Sequence, residues 1–161
     1  IEELIKAEAK KTSFSDLSSD LKILAKNFED NKGKLPWPTS QGIIVNKFGD
    51  HPHPVIKGVV ISNNGIDIST TANSSVKSIF KGKVSKIFNI KGANNTVIIQ
   101  HGNYFTVYHN LVNVAVKSGQ MVNTNEKIGE VFSDPKTGES VVHLEIWKEL
   151  VKQDPETWLS N

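Results

Sequence analysis

The residue types able to do chemistry in this 161-residue chain are five histidines and a scatter of carboxylates, and their surroundings differ. His109 in Tyr108-His109-Asn110-Leu111 and His143 in Val142-His143-Leu144-Glu145 sit inside runs of strand type, while Asp67 closes Asn63-Asn64-Gly65-Ile66-Asp67. Imidazoles brought beside a carboxylate can hold a metal ion, or can move protons as a general acid and base. His51 and His53 flank Pro52 in a loop without a third ligand nearby, so they read as solvated. His101 precedes Gly102 and reads as a turn-flanking surface residue. The absence of cysteine removes disulfides, zinc ribbons and thiol catalysis. All 19 cationic side chains are lysine and the net charge is only +2. With no arginine fork and no strong positive balance, nucleic acid is not expected as a partner.

The elements that must position these residues fall into two textures. Residues 1–32 form a helical segment that is free of Gly and Pro up to Asn31 and dense in Glu, Lys and Ala. Phe14, Leu17, Leu21, Leu24 and Phe28 recur at spacings of three and four and line one stripe. Ser13 with Asp16 three residues later predicts a helix start near Phe14. Residues 1–11 look like the end of another helix, of coiled-coil type, although eleven residues are too few to establish heptads. A chain that begins at Ile1 within an amphipathic pattern reads as a piece of something longer.

Residues 33–161 are expected to be a mainly β domain. Leu35-Pro36-Trp37-Pro38 is too rich in proline for a helix and leads into short apolar runs separated by Gly, Asn and Ser. Strands are predicted over 43–48, 59–62, 65–69, 75–79, 82–89, 96–101, 104–111, 127–132 and 141–148. Their spacing, without intervening helices, argues for antiparallel pairing. Gly92-Ala93-Asn94-Asn95 and Gly102-Asn103 are hairpin-type turns.

The run 141–148 says most about a site. With side chains alternating between faces, Val142, Leu144 and Ile146 form a core face, and Val141, His143, Glu145 and Trp147 form the other. Trp147 is therefore expected as an exposed aromatic of the type found in binding hot spots.

In their order along the chain, these motifs resemble those of the LytM-type, or lysostaphin-like, zinc peptidases of bacterial cell walls. The resemblance covers residues 34–160, including the Gly33-Lys34-Leu35-Pro36-Trp37-Pro38 lead-in and the closing Asp154-Pro155-Glu156-Thr157-Trp158-Leu159. It implies an antiparallel β-sheet domain in which a His-x-Gly-x-Asp segment and a His-x-His strand supply zinc ligands and a catalytic histidine. A Tyr-x-His-Leu-like strand supplies a second.

This chain departs from that pattern at two points. Asn63 stands where the first zinc-binding histidine would be, and Val141 at the first histidine of the His-x-His pair; Asp67, His109 and His143 are retained. A neutral amide oxygen is a poor substitute for imidazole nitrogen, and valine exchanges no proton. A catalytic zinc needs three protein ligands and an open position, so no metal, no cofactor and no catalytic residue are expected. Loss of this kind resembles the EnvC-like murein hydrolase activators, a degenerate branch that carries an N-terminal coiled coil and switches on cell-wall amidases through the vacated groove.

The resemblance implies a non-catalytic regulator in the bacterial cell envelope, periplasmic or extracytoplasmic. Its partner would be an N-acetylmuramoyl-L-alanine amidase, and a membrane protein reached through an upstream coiled coil would be a further one. The domain itself is expected to be monomeric. Asn64, Ala93, Thr96, His143 and Trp147 are expected to line the partner groove, and the stripe from Phe14 to Phe28 to lie in it as an autoinhibitory helix. A peptidoglycan-binding targeting module and an active zinc endopeptidase are the alternatives.

Overall fold

A computed structural model describes residues 2–11, 13–89 and 94–161. In chain order these form α1 (Glu2–Ala9), a 3-10 turn (Phe14–Asp16), α2 (Ser19–Asp30), β1 (Ile43–Asn46), β2 (Gly49–Pro52), β3 (Val60–Asn63) and β4 (Ile66–Ser69). They continue with β5 (Ser75–Lys77), β6 (Gly82–Asn89), β7 (Asn95–His101), β8 (Tyr104–Val112), β9 (Met121–Val122), β10 (Lys127–Val131), β11 (Val141–Lys148) and β12 (Val151–Gln153). A second 3-10 turn spans Pro155–Thr157. Among the described residues no helix is long and apolar enough to cross a membrane.

Ten of the described strands join in one antiparallel sheet whose main path runs β1-β4-β11-β8-β7-β6-β9. β10 pairs with β8 and β5, and β12 extends β11. β2 and β3 form a separate hairpin based on Gly49 and Asn63. His51 and His53 are expected in a loop, but His51 lies within β2 and only His53 follows it. Pro52 sits at the end of a strand in a two-stranded ribbon, where a missing N–H is tolerated.

Period-two alternation splits the sheet into two faces, each covered by one helix. On the first face Val142, Leu144 and Ile146 of β11 pack with Ile66, Ile68, Val97, Ile99 and Tyr108 in the main core. α2 closes this core. Its Phe28 is fully buried and stacks on His101 with ring centroids 4.8 Å apart, with Phe80, Tyr104 and Trp158 around it. The turn after β7 comes so close that a Cβ on Gly102 would lie 2.6 Å from the Leu21 carbonyl oxygen, and its φ of +72° favours glycine as well.

Two expectations about this region are corrected. The helix does not begin at Phe14, because the Ser13 hydroxyl donates to Asp16 Oδ2 at 2.8 Å instead of capping a backbone N–H. Ser18 caps α2, accepting from Leu21 N at 3.3 Å. His101 is not a surface residue but fully buried, with Nδ1 donating to the Lys81 carbonyl at 2.7 Å and Nε2 accepting from Thr106 Oγ1 at 2.8 Å. Burial pushes its pKa down to about 4.

α1 lies on the second face. Eight residues make a marginal helix alone, so α1 depends on its docking. Ile5 and Ala9, one turn apart, bury against Trp147, Phe105, Val107 and Ile98 in a second, smaller core. Burying Ile5 contributes roughly 2–3 kcal/mol. The flanks are polar: Glu8 Oε2 accepts from Ser85 Oγ at 2.7 Å, and Glu2 Oε2 accepts from Asn64 Nδ2 at 2.9 Å.

Candidate functional site

Strand register places the predicted chemical residues in one row across the second face. Asp67 on β4 pairs with His143 on β11, His143 with His109 on β8, and His109 with Thr96 on β7. Asn46 on β1 pairs with Asp67 and extends the row. A second row follows, Glu145 beside Val107 beside Ile98, and a third places Trp147 beside Phe105 and Gln100. α1 covers the apolar residues of the second and third rows, while Asp67, His143 and His109 remain partly exposed.

The row depends on one glycine. Gly65 precedes β4, and a Cβ there would overlap the Leu144 carbonyl oxygen and crowd Glu145 Cγ. Glycine alone lets the Asn63-Asn64-Gly65 turn press against β11, and that closeness brings Asp67 level with His143.

Hydrogen bonds join the row into a network. His143 Nδ1 donates to Asp67 Oδ1 at 2.7 Å, and His143 Nε2 donates to Glu145 Oε2 at 2.7 Å. Trp147 Nε1 donates to the other Glu145 oxygen at 2.7 Å. Asn46 Nδ2 donates to Asp67 Oδ2 at 3.0 Å, and Thr96 Oγ1 shares a hydrogen bond of 2.6 Å with His109 Nδ1. The two imidazoles face edge to face with centroids 6.4 Å apart.

The charges follow from this geometry. Burial opposes a charged His143, yet the hydrogen bonds to Asp67 and Glu145 outweigh it and raise its pKa to about 9. Burial likewise opposes ionised Asp67, but the bond and charge of His143 hold its carboxyl below the usual range. His109 moves the other way: burial, then the neighbouring positive charge on His143, lowers its pKa. At neutral pH the row holds one imidazolium clamped between two acids and one neutral imidazole.

This donor set does not fit a zinc ion. Both nitrogens of His143 are engaged by carboxyl groups, and Asn63 turns its Oδ1 to the Gly65 N–H at 3.3 Å, with its Nδ2 toward Asp67 at 3.5 Å. Among the described residues no three His, Cys, Asp or Glu side chains are placed to hold a metal. Val141 presents a partly exposed aliphatic side chain, and its carbonyl accepts from Asn110 Nδ2 at 2.6 Å. His53 lies outside the row, its Nδ1 accepting from the backbone N–H groups of Val55 and Ile56.

The expected groove residues are placed unevenly. Thr96 is buried beneath His109, and Asn64 bridges Glu2 and Lys152, its Oδ1 accepting from Lys152 Nζ at 3.0 Å. Ala93 lies outside the described residues. Trp147 corrects an expectation: it faces the predicted side but is fully buried, because α1 packs its Ile5 and Ala9 over it. The Phe14 to Phe28 stripe is also corrected. Leu17 and Phe28 pack in the main core, Leu21 and Leu24 lie against it, and Phe14 is 47% exposed, so this stripe does not reach the face that carries His143. Glu145 was overlooked as a site residue. Its signal was available, since an acid between a histidine and a tryptophan on one strand face can bond to both.

The profile of Peptidase family M23 matches residues 61–155, which include Asp67, His109 and His143. The chain is 31% identical over 138 residues to an uncharacterized protein of Neisseria meningitidis serogroup B, NMB1333, covering 84% of this chain and 22% of that protein. It is 40% identical over 78 residues to the peptidoglycan DD-endopeptidase ShyA of Vibrio cholerae, covering 48% of this chain and 18% of ShyA. The chain thus spans about a fifth of the length of these relatives. Among solved structures, a zinc-containing peptidase from Vibrio cholerae superposes with a TM-score of 0.66 at 26% identity, over 81% of this chain and 41% of that one. The architecture is the LytM-like β-sheet fold.

Proposed function

The chain belongs to Peptidase family M23, and we propose that it acts at the bacterial cell wall as a non-catalytic regulator that binds and activates an N-acetylmuramoyl-L-alanine amidase. The observation that carries this reading is His143. Its two nitrogens are held by Asp67 and Glu145, while Asn63 and Val141 stand where the resemblance places a ligand and a proton-transfer group. A site without that donor set has no means of lowering the pKa of a bound water, so no hydrolytic step is assigned to it. What remains is a face suited to a protein segment: a polar row of Asp67, His143 and His109 beside an apolar floor of Trp147, Phe105 and Ile98.

α1 occupies that floor and holds the regulator off. Two buried side chains and polar contacts at its flanks dock it, a grip modest enough for a partner helix to displace. Activation is then a shift in population between a covered and an open face, and α1 and the partner compete for one surface.

The experiment is dye release from labelled peptidoglycan by residues 1–161 and by residues 13–161, alone and with candidate amidases. Neither form should release dye alone, one amidase should be stimulated, and the shorter form should stimulate it at lower concentration. Release by the domain alone, abolished by a chelator, would return the protein to the zinc endopeptidases.

A further inference from the structure

We propose that the tip of the ribbon formed by β2 and β3, residues 52–60, seats in the headgroup and upper acyl layer of an anionic lipid membrane. The inference goes beyond the regulator reading and does not rest on it. Four aliphatic residues, Val55, Ile56, Val59 and Val60, fall within six positions at the tip, and all four are exposed, Val55 by 84% and Val60 by 65%. Every residue from Pro54 to Val60 is open to solvent. Val60 stands opposite Pro52 in the register of the ribbon, so the two share a face. Single aliphatics scattered over a surface need no explanation, but a contiguous set on one projecting turn marks a contact site.

Charge and hydrogen bonding at the tip select lipid over protein. Lys57 is the only lysine from His51 to Ile61, and no Asp or Glu occurs in that span. The acid that precedes it, Asp50, is held at the base of the ribbon by the Ser62 hydroxyl. One cation among aliphatics matches lipid phosphates above acyl chains, because the lysine stem can lie in the apolar layer while its ammonium stays with the headgroups. The backbone of the tip is also largely self-sufficient. Pro52 and Pro54 have no N–H, His53 N donates to the Val59 carbonyl at 2.8 Å, and Val59 N donates to the Ile56 carbonyl at 3.4 Å. His53 Nδ1 accepts from Val55 N at 3.0 Å and from Ile56 N at 2.9 Å, and Gly58, at φ +83°, closes the turn. Backbone that enters lipid has to satisfy its polar groups internally, and these are satisfied before any contact. Protein interfaces draw instead on Trp, Tyr and Arg anchors, and the tip carries none.

Seated in this way, the ribbon sets a distance. Its base pairs Gly49 with Asn63, whose Nδ2 lies 3.5 Å from Asp67. At roughly 3.3 Å per residue, the stretch from Asn63 to Gly58 holds Asp67 and His143 about 17 Å from the turn, measured along the ribbon. An upright ribbon that enters by about 5–10 Å leaves that row in water, close above the lipid surface.

The test is cosedimentation of residues 1–161 with vesicles of phosphatidylcholine, with and without phosphatidylglycerol. The protein should bind the anionic vesicles more tightly, and Lys57→Gln should lower that affinity roughly fivefold. Val55→Ser combined with Ile56→Ser should lower binding roughly tenfold at an unchanged melting temperature, since both side chains are exposed. The emission of Val55→Trp, placed in the wild-type background, should be quenched by brominated acyl chains. Four results would each overturn the proposal: no sedimentation at millimolar lipid, binding that survives the paired serine substitution, binding without bromine quenching, or a dimer in lipid-free solution that the serine pair abolishes. The last would assign the tip to a second copy of this chain. Neither an amidase nor peptidoglycan is present, so the outcome is independent of the regulator's fate.

Discussion

Asn64 donates to the carboxylate of Glu2 at 2.9 Å across 62 positions of sequence. This one bond ties the start of α1 to the turn that delivers Asp67, so the helix covering the apolar rows is fastened at the edge of the polar one.

Replacing Ile5 with Glu should undock α1 while leaving the sheet folded, because α1 contributes only Ile5 and Ala9 to the small core and nothing to the main one. Hydrogen exchange should show protection lost in α1 and kept in β7, β8 and β11. Loss of protection throughout would show that α1 belongs to the cooperative unit.

Trp147→Ala should cost about 3–5 kcal/mol in denaturant unfolding, the range for emptying a large aromatic site. Phe14→Ala should change stability by less than about 0.5 kcal/mol, since the ring is 47% exposed. If the two values proved similar, the division between buried Trp147 and exposed Phe14 would be wrong.

Stability should be bell-shaped in pH, with its two limbs belonging to different histidines. His101 is neutral in the fold with a pKa of about 4, against 6.5 for a free side chain. The unfolded chain therefore takes up the extra proton between these values, and stability falls as pH drops from 6.5 to 4, by about 3 kcal/mol. His143 is the opposite case, raised to about 9. Its contribution is full below 6.5 and is lost as pH rises toward 9, again by about 3 kcal/mol. His101→Asn should flatten the acid limb and His143→Gln the alkaline one, whatever each does to absolute stability.

Restoring donors should restore metal affinity. Asn63→His supplies a third ligand beside Asp67 and His143, and Val141→His adds the missing partner two residues from His143. Mass spectrometry of metal content should find about one zinc per chain in the double variant and little in the parent. Equal zinc in both would show that the parent's ligands suffice.

Much of the sheet was legible in the sequence because alternation survives burial. The runs 82–89 and 141–148 coincide with β6 and β11, and the row of Asp67, His143 and His109 follows once three strands are set side by side. What alternation cannot tell is what lies over a face. Trp147 points to the predicted side, but whether that side meets water depends on α1, whose two core residues make too brief a pattern to announce a docking site. The stripe from Phe14 to Phe28 was the louder signal, and all of it but Phe14 packs in or against the main core, where Phe28 finds His101, Tyr104 and Trp158. His101 was misjudged for a similar reason: beside a turn glycine it looks exposed, but the turn itself lies under α2.

Glu145 bonds with one oxygen to His143, in the open row, and with the other to Trp147, beneath α1. Were α1 removed from Trp147, water would reach Glu145, the local dielectric would rise, and its hold on the imidazolium would weaken. A single side chain thus links the cover at one end of a strand to the proton held at the other. The His143 resonance should then report whether the floor two rows away is covered, without any label on α1.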